Sequence, residues 1–259
     1  MTKKMPALFL GHGSPMNAIE DNAFHRGWRD VAAQFPRPRA VLCISAHWET
    51  RGIAVTAGER PETIHDFGGF PQALIDVQYP APGDPALAKR VADVMAPDAV
   101  ALDTTRGFDH GSWGVLIAMY PEADVPLVQL SMPVGQPGAV HYALGKRLAP
   151  LRDEDVLIVG SGNIVHNLRL WGSRDPRLME SWVRFNNDVK RRAALGEHAA
   201  LADYMSLDPD AALAVPTPEH YLPLLYALAV QEPGEKVGFF NDDGPGGIFM
   251  TSATIGLAA

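Results

Sequence analysis

The sequence predicts a layered α/β fold in which a central, largely parallel sheet is flanked by helices. Three short apolar runs of strand length, residues 7–10, 41–44 and 156–159, are each followed by small residues and a histidine. Segments with a helical spacing of apolar residues lie between the predicted strands. Because an alternation of strands and helices is typical of parallel sheets, we expect the three runs to be strands of one sheet.

Four further segments have strand character. Residues 52–57 and 125–132 are rich in apolar and β-branched side chains, while residues 237–240 and 250–255 are weaker candidates. The last two could be antiparallel additions, so the predicted sheet is mixed.

Three helices are predicted from apolar residues that recur every three or four positions. The first covers residues 85–96, the second 138–151 and the third 178–195. Pro97 ends the first helix and Gly196 ends the third.

The size and composition of the chain indicate one globular domain. Its 259 residues are 47% hydrophobic and 20% charged, which is ample material for a core. No linker-like or low-complexity segment interrupts the sequence. We therefore expect a single domain over residues 1–259.

Charge and cysteine content exclude several classes of protein. A net charge of −8 repels a phosphate backbone, and the basic run Lys190-Arg191-Arg192 lies late in a predicted helix, where positive charge is favourable. Nucleic acid is therefore not an expected partner. The apolar stretch near the N-terminus breaks at Gly11, too short for a signal segment or a membrane span, which predicts a cytoplasmic protein. Cys43 is the only cysteine, so a cysteine-based zinc cluster is excluded.

Four histidines are predicted to meet at the carboxyl edge of the sheet. His12, His47 and His166 follow the three apolar runs, and His220 lies in a segment that reads as the first turn of a helix with Thr217 as N-cap. A single histidine is more often structural than a ligand. Several at one edge predict a metal centre, because neutral imidazole binds Fe(II) and Zn(II) well.

The longest irregular segment, residues 58–71, contains His65, Phe67 and Phe70. Loops of this length inside a compact domain are usually functional or mobile. This one suits a lid over an aromatic ligand, and the alternative is an ordinary surface loop anchored by its two phenylalanines.

His110 immediately precedes a predicted short helix that ends at Pro121. A histidine at a helix start can hydrogen-bond an anionic ligand, and the alternative is that His110 packs under Trp113 or caps the turn. The remaining histidines lie on helical stretches without such features and are predicted to be surface residues: His25, His141 and His198.

Two common motifs are incomplete. Gly11-His12-Gly13-Ser14 lacks the lysine of a phosphate-binding loop, and Gly160-Ser161-Gly162 lacks the spacing of a nucleophile elbow. Neither nucleotide binding nor covalent serine catalysis is supported.

Six blocks of sequence, in order over nearly the whole chain, form a specific set. They are residues 11–15 (GHGSP), 45–48 (SAHW), 63–71 (TIHDFGGFP), 107–113 (GFDHGSW), 162–167 (GNIVHN) and 217–221 (TPEHY). Together they resemble the class III extradiol ring-cleavage dioxygenases, and within that superfamily the 4,5-DOPA dioxygenase branch.

The resemblance implies that His12, His47 and His220 are metal ligands and that His166 is the active-site acid/base. It also implies that His166 can become a fourth ligand in a zinc-loaded form. Members of the wider superfamily complete their ligand set with a carboxylate, so Glu219 is the alternative to His220.

The implied reaction cleaves a catechol beside its two hydroxyls with O₂ and gives a ring-opened semialdehyde. One divalent metal per chain is expected, Fe(II) for activity, with Zn(II) as an ion that the same ligands would hold. Ser14, His65, Phe67 and Phe70 are the predicted substrate-binding residues, and His110 is expected to hydrogen-bond substrate or oxygen as a second catalytic histidine. The competing classes are a zinc hydrolase, in which the metal activates water, and a metal-binding protein without activity.

Overall fold

The fold is a mixed eight-stranded sheet with helices on both faces. The computed structural model describes residues 4–244 and 246–257, so the first three and last two residues of the predicted domain lie outside it, as does residue 245. The strand order is β4-β3-β5-β2-β6-β1-β8-β7. The strands are β1 (Ala7–Gly11), β2 (Ala40–Thr50), β3 (Ile53–Thr56), β4 (Val100–Asp103), β5 (Leu127–Pro133), β6 (Val156–Gly162), β7 (Val237–Phe240) and β8 (Ser252–Ile255).

The centre of the sheet is parallel and its borders are mixed. Strands β5, β2, β6 and β1 are neighbours and all run in one direction, which confirms the predicted fold class. Strand β8 pairs antiparallel with β1, and β7 pairs antiparallel with β8, as predicted. At the opposite border β3 is antiparallel to β5. Strand β4 was not predicted, because it has only four residues and two of them are exposed.

The helices connect the strands and cover the sheet. They are α1 (Ala23–Ala32), α2 (Gln72–Ile75), α3 (Pro85–Val94), α4 (His110–Met119), α5 (Gly138–Arg147), α6 (Pro176–Leu195), α7 (His198–Ala202), α8 (Ala211–Ala214) and α9 (Leu222–Ala229). The helices predicted over 85–96 and 178–195 are confirmed. The Asp84 side chain accepts a hydrogen bond from the Leu87 N–H at the start of α3, and Gly196, with φ of 73°, ends α6.

One predicted helix is shorter than expected, and three short ones were missed. Helix α5 ends at Arg147, and the following turn, Ala149–Glu154, is a 3-10 helix that contains Pro150. Proline has no N–H to continue an α-helical hydrogen-bond pattern. Helices α2, α7 and α8 have four or five residues, too few to show a periodic pattern.

Successive side chains of the central strands enter two different hydrophobic cores. In β2, Leu42 and Ile44 join the core that is covered by α3, α5, α6 and α9, whereas Val41 and Cys43 join the core that is covered by α1 and α4. Cys43 is fully buried, as its position in an apolar run predicts. No helix in the described part of the chain is long and apolar enough to cross a membrane.

The prediction that His141 and His198 are surface residues is wrong. His141 is fully buried, and its Nδ1 lies 3.1 Å from the Tyr226 hydroxyl where α5 packs on α9. His198 is also buried, with its Nδ1 2.9 Å from the Tyr142 hydroxyl. The polar residues beside them in sequence suggested exposed helix faces, but the packing of other helices covers both rings. His25 is half-buried.

The buried His141 is expected to make stability fall in mild acid. Burial lowers the pKa of His141 to about 4, from an ordinary value of 6.5, and its Nε2 has no hydrogen-bond partner in the described residues. His141 therefore makes its full contribution to the free energy of unfolding above pH 6.5. As the pH falls toward 4, the free energy of unfolding decreases by about 3 kcal/mol. In H141Q, which cannot titrate, this part of the pH dependence should be absent.

Chemical denaturation of both proteins at several pH values between 4 and 7.5 measures the effect. The other buried histidines titrate in both proteins, so only the difference in unfolding free energy between H141Q and the parent reports on His141. That difference should shift in favour of H141Q toward pH 4. A difference that is the same at every pH contradicts the assignment.

Candidate metal centre and active site

Two of the predicted site histidines are positioned by the parallel strands β1 and β2. His12 directly follows β1, and its N–H donates to the Gly162 carbonyl at 3.1 Å, which continues the alignment of β1 with β6. His47 was expected in a turn after a strand that ends at Ile44. Instead β2 continues to Thr50, with an irregularity between Ile44 and Glu49, so His47 lies within the strand at its carboxyl end.

The third histidine lies in a turn and not in a helix, which corrects the predicted N-cap at Thr217. The Thr217 hydroxyl donates to Glu219, and helix α9 begins only at Leu222. The His220 carbonyl accepts a hydrogen bond from the Asn163 N–H at 2.8 Å. A Cβ on Gly162 would lie 2.1 Å from the same carbonyl oxygen, so the turn approaches the end of β6 as closely as glycine permits.

The imidazoles of His12, His47 and His220 converge on one point. Their ring centroids are 5.0 to 5.2 Å apart, and one ligand atom from each ring lies within 4.8 Å of the other two. The Nε2 atoms of His12 and His47 are 3.1 Å apart. Three imidazoles at these separations can share a single cation.

The other nitrogen of each ring faces an oxygen. The Nδ1 of His12 is 3.0 Å from the Ser161 hydroxyl, which itself donates to the Gly111 carbonyl and so accepts from His12. The Nδ1 of His47 lies 3.5 Å from Asp66, and the Nδ1 of His220 lies 3.1 Å from Glu219. Since hydroxyl and carboxylate oxygens accept hydrogen bonds, these partners favour the tautomer with the proton on Nδ1 in His12 and His220.

This tautomer leaves the Nε2 of His12 and of His220 free to bind a cation. An oxygen atom behind an imidazole matches the way proteins orient imidazole ligands of metals. Burial lowers the pKa of His47 to about 3, and burial together with the neighbouring histidines lowers the pKa values of His12 and His220 well below the ordinary range. The three rings are therefore neutral at pH 7, as metal ligation requires.

His166 stacks on His220. The two rings are 3.5 Å apart with only 8° between their planes. Burial lowers the pKa of His166 to about 4, so this ring is neutral at pH 7 and can accept a proton. It lies half-buried in the wall of the cavity that the three converging histidines share.

His110 is held by Asp66, a residue of the long loop. One carboxylate oxygen of Asp66 accepts from both the backbone N–H and the Nδ1 of His110, at 3.0 and 2.9 Å. Burial raises the pKa of Asp66, but the hydrogen bonds from His110 outweigh it and hold the pKa at about 2. The ring of His110 lies 4.0 Å from that of His47. Asp66 therefore positions two histidines of the site together.

The site opens into a cavity of about 450 Å³. Phe67 and Phe70, from the long loop, line it, and Phe67 meets His110 edge to face at 5.3 Å. Ser14, after His12, also lines it. His65 is not among the described residues that line the cavity. Its ring is turned to the Val77 carbonyl, to which its Nε2 donates at 2.9 Å.

Three residues of the site were not predicted from the sequence. Asp66 was noted only as part of the block of residues 63–71, without a role. Ser161 was noted only as part of an incomplete nucleophile elbow. Asn163 binds Gly13 and Phe249 through its side chain and the His220 turn through its N–H. All three are polar residues beside glycines or histidines, Ser161 and Asn163 at the end of β6 and Asp66 in the long loop, but most of their partners are distant in the sequence.

Replacing Ser161 by alanine removes the acceptor behind His12 and is expected to weaken metal binding by about 10- to 100-fold. Competition of the protein with a chelator for Zn(II) measures this change. The control is S181A, which truncates a buried serine of α6, outside the described cavity wall. Equal affinities in S161A and the parent would contradict the tautomer assigned to His12.

The fold is an α/β sheet that brings together, at its carboxyl edge, three imidazoles that could hold a metal ion. The family model for the catalytic LigB subunit of aromatic ring-opening dioxygenase matches residues 6–238, and the chain belongs to that family. That family is metal-dependent, and its members are dioxygenases that open aromatic rings. The resemblance drawn from the six blocks is thereby confirmed, and the comparisons give no support for a hydrolase.

Several relatives share most of their length with this chain. It is 53% identical over 239 residues to the 4,5-DOPA dioxygenase extradiol of Escherichia coli K12, covering 90% of this chain and 88% of the relative. It is 38% identical over 247 residues to that of Beta vulgaris, covering 93% and 92%. A crystal structure of an uncharacterized protein from Escherichia coli K12 superposes with a TM-score of 0.83 at 44% identity, covering 98% of this chain and all of that one.

Proposed function

We propose that this chain cleaves the ring of a DOPA-like catechol in the extradiol position, at one divalent metal ion held by His12, His47 and His220. The observation that carries the proposal is the convergence of three imidazoles, each of which has an oxygen atom near its Nδ1. An all-imidazole set of this kind suits Fe(II) and Zn(II).

The contacts of Glu219 favour His220 as the third ligand. One oxygen of Glu219 accepts from Thr217 and faces the Nδ1 of His220, which makes it an orienting partner. His166 stacks against His220, so it is near enough to serve as the fourth ligand of a zinc-loaded form.

When bound, Fe(II) supplies the path for electron transfer from a catecholate to O₂, whereas Zn(II) fills the same ligands without redox chemistry. His166 is proposed as the acid/base, because a neutral ring in the cavity wall can take the proton of a substrate hydroxyl and later return it. The Nδ1 of His110 faces Asp66, so its Nε2 is the nitrogen proposed to hydrogen-bond substrate or oxygen.

The aromatic ring of the substrate is proposed to pack against the two phenylalanines of the loop, whose own rings meet edge to face at 5.4 Å, with Ser14 near its hydroxyls. A direct contact with His65 is not retained, because the Val77 carbonyl holds that ring. His65 instead supports the loop, with its ring 5.7 Å from that of Phe67. We further propose that the whole chain is one catalytic domain and acts in the cytoplasm on a small molecule and O₂.

Metal analysis of anaerobically purified protein, combined with oxygen uptake on a panel of catechols, tests the proposal. Uptake that depends on Fe(II) and yields a yellow ring-opened semialdehyde is expected. Turnover of esters or amides by a zinc-loaded protein without O₂ would instead indicate a hydrolase. Metal binding with no turnover of any kind would indicate a binding protein.

A further inference from the structure

Asp109 is a buried carboxylate that the proposed mechanism does not use. It is fully buried, directly precedes His110 and caps helix α4, where its side chain accepts from the Ser112 N–H at 3.2 Å. The same carboxylate oxygen accepts from the Ser45 hydroxyl at 2.7 Å. A charged group so far from solvent is costly unless hydrogen bonds surround it. This one therefore joins the start of α4 to the end of β2.

The second oxygen of Asp109 also has two partners. It accepts from the side-chain amide of Gln129, on β5, and from the Arg106 guanidinium at 3.3 Å. The same Arg106 nitrogen donates to the His47 carbonyl at 3.4 Å. The side-chain carbonyl of Gln129 in turn accepts from the Asp109 N–H at 3.4 Å. Because the partners of the carboxylate are all donors, an ionised side chain fits this position, whereas an amide would bring N–H groups of its own.

The Ser45 hydroxyl also holds the backbone of His47. It accepts from the His47 N–H at 3.2 Å while it donates to Asp109. The regular pairing of β2 with β5 is interrupted between Ile44 and Glu49, so the hydrogen bonds of the sheet do not by themselves fix this part of β2. The contact with Ser45 supplies a restraint on a residue that is proposed to bind the metal.

The first turn of α4 packs closely on the metal-site histidines. A Cβ on Gly111 would lie only 3.0 Å from Cδ2 of the His47 ring. The Gly111 carbonyl accepts from the Ser161 hydroxyl, which lies behind the Nδ1 of His12. A shift of this turn would therefore disturb His12 and His47 together with His110, which is its first residue.

Resting on the proposed metal-dependent function, we propose that Asp109 is a positioning residue of the active site. It fixes the start of α4 relative to the end of β2, and through these contacts it sets where the rings of His47 and His110 lie. Asp109 is not among the described residues that line the cavity, so its effect on the reaction is indirect. Replacing a residue that orients metal ligands typically changes metal affinity or activity by about 10- to 100-fold.

D109N tests the proposal, because asparagine keeps the shape of the side chain but turns an N–H group toward donors. Its affinity for Zn(II), measured by competition with a chelator, is expected to fall by about tenfold. The visible absorption spectrum of the Co(II)-loaded protein should change as well, since it depends on the geometry of the ligands. With saturating Fe(II), kcat for a catechol should also fall, because His110 moves with α4.

D84N is the matched control. Asp84 caps α3 and pairs with Arg39 at 3.2 Å, much as Asp109 caps α4 and pairs with Arg106, but it lies outside the described cavity wall. Its Zn(II) affinity, Co(II) spectrum and kcat should match those of the parent.

A second substitution should restore the site. In D109N/Q129E the carboxylate and the amide change places, so that a donor again faces an acceptor between α4 and β5. The Zn(II) affinity and the Co(II) spectrum should return toward those of the parent. A double variant that binds Zn(II) no better than D109N would contradict the assigned contact.

S45A provides a second arm in case D109N folds poorly. It leaves the cap of α4 in place and removes the hydroxyl between Asp109 and the His47 N–H. It should weaken Zn(II) binding and change the Co(II) spectrum, whereas S181A should do neither.

Parent-like Zn(II) affinity and Co(II) spectrum in folded D109N, or in S45A, would overturn the proposal. A lower free energy of unfolding alone would then show that Asp109 only stabilises the fold. A parent protein that binds Zn(II) but turns over no catechol would contradict the dioxygenase function, and the metal-binding results would still decide on Asp109.

Discussion

H220A is expected to lose the metal ion, and with it all oxygen uptake. The His220 ring is one of three converging imidazoles, and its removal leaves two of them, which is too few for a stable catalytic site. Loss of an orienting partner alone costs about 10- to 100-fold in affinity, so loss of a ligand should exceed that range. Titration with Zn(II) or Fe(II) under anaerobic conditions, with metal analysis after desalting, measures the effect.

E219Q separates the two candidate ligands. Its amide oxygen can still accept from the Nδ1 of His220, so metal binding should weaken by much less than in H220A. The fold of H220A is expected to be retained, because the hydrogen bond from the Asn163 N–H to the His220 carbonyl does not need the His220 side chain. Circular dichroism of H220A checks this. Retention of a full metal equivalent by H220A together with its loss in E219Q would assign the third ligand to the carboxylate.

H166A is expected to lower kcat by roughly 10²- to 10⁴-fold while metal content stays near that of the parent. The His166 ring stacks on His220 and faces the cavity, so alanine removes the proton acceptor without removing any of the three converging nitrogens. Steady-state oxygen uptake with a catechol at saturating concentration, on protein with a measured iron content, gives the change.

H141Q is a suitable control for H166A, because it also lacks a histidine but at the packing of α5 on α9, outside the described cavity wall. Its kcat should match the parent at neutral pH. Full turnover by iron-loaded H166A would rule out the assignment of the acid/base to this residue. A loss of iron in H166A would instead indicate that its ring is a ligand in the active form.

Local patterns in the sequence predicted much of the fold, because burial on both faces produces continuous apolar runs. Strands β1, β2 and β6 contain such runs, and the histidines at or after their carboxyl ends lie at one edge, as the parallel arrangement requires. Local patterns failed where tertiary contacts override them. Thr217 is a residue type that often caps helices. The turn after it is instead held by a hydrogen bond from the Asn163 N–H to the His220 carbonyl and packs closely on Gly162 of β6.

The sequence by itself determined which side chains are candidates for the chemistry, since imidazoles at the ends of buried strands and the six blocks identify them without coordinates. Only the tertiary structure placed an oxygen atom near the Nδ1 of each ring. Glu219 is next to His220 in the sequence, but Ser161 is 149 residues from His12, and Asp66, which faces His47, also binds His110 from 44 residues away. The shape and charge of the cavity were equally out of reach, because its wall combines residues from separate loops whose approach depends on packing of the whole domain.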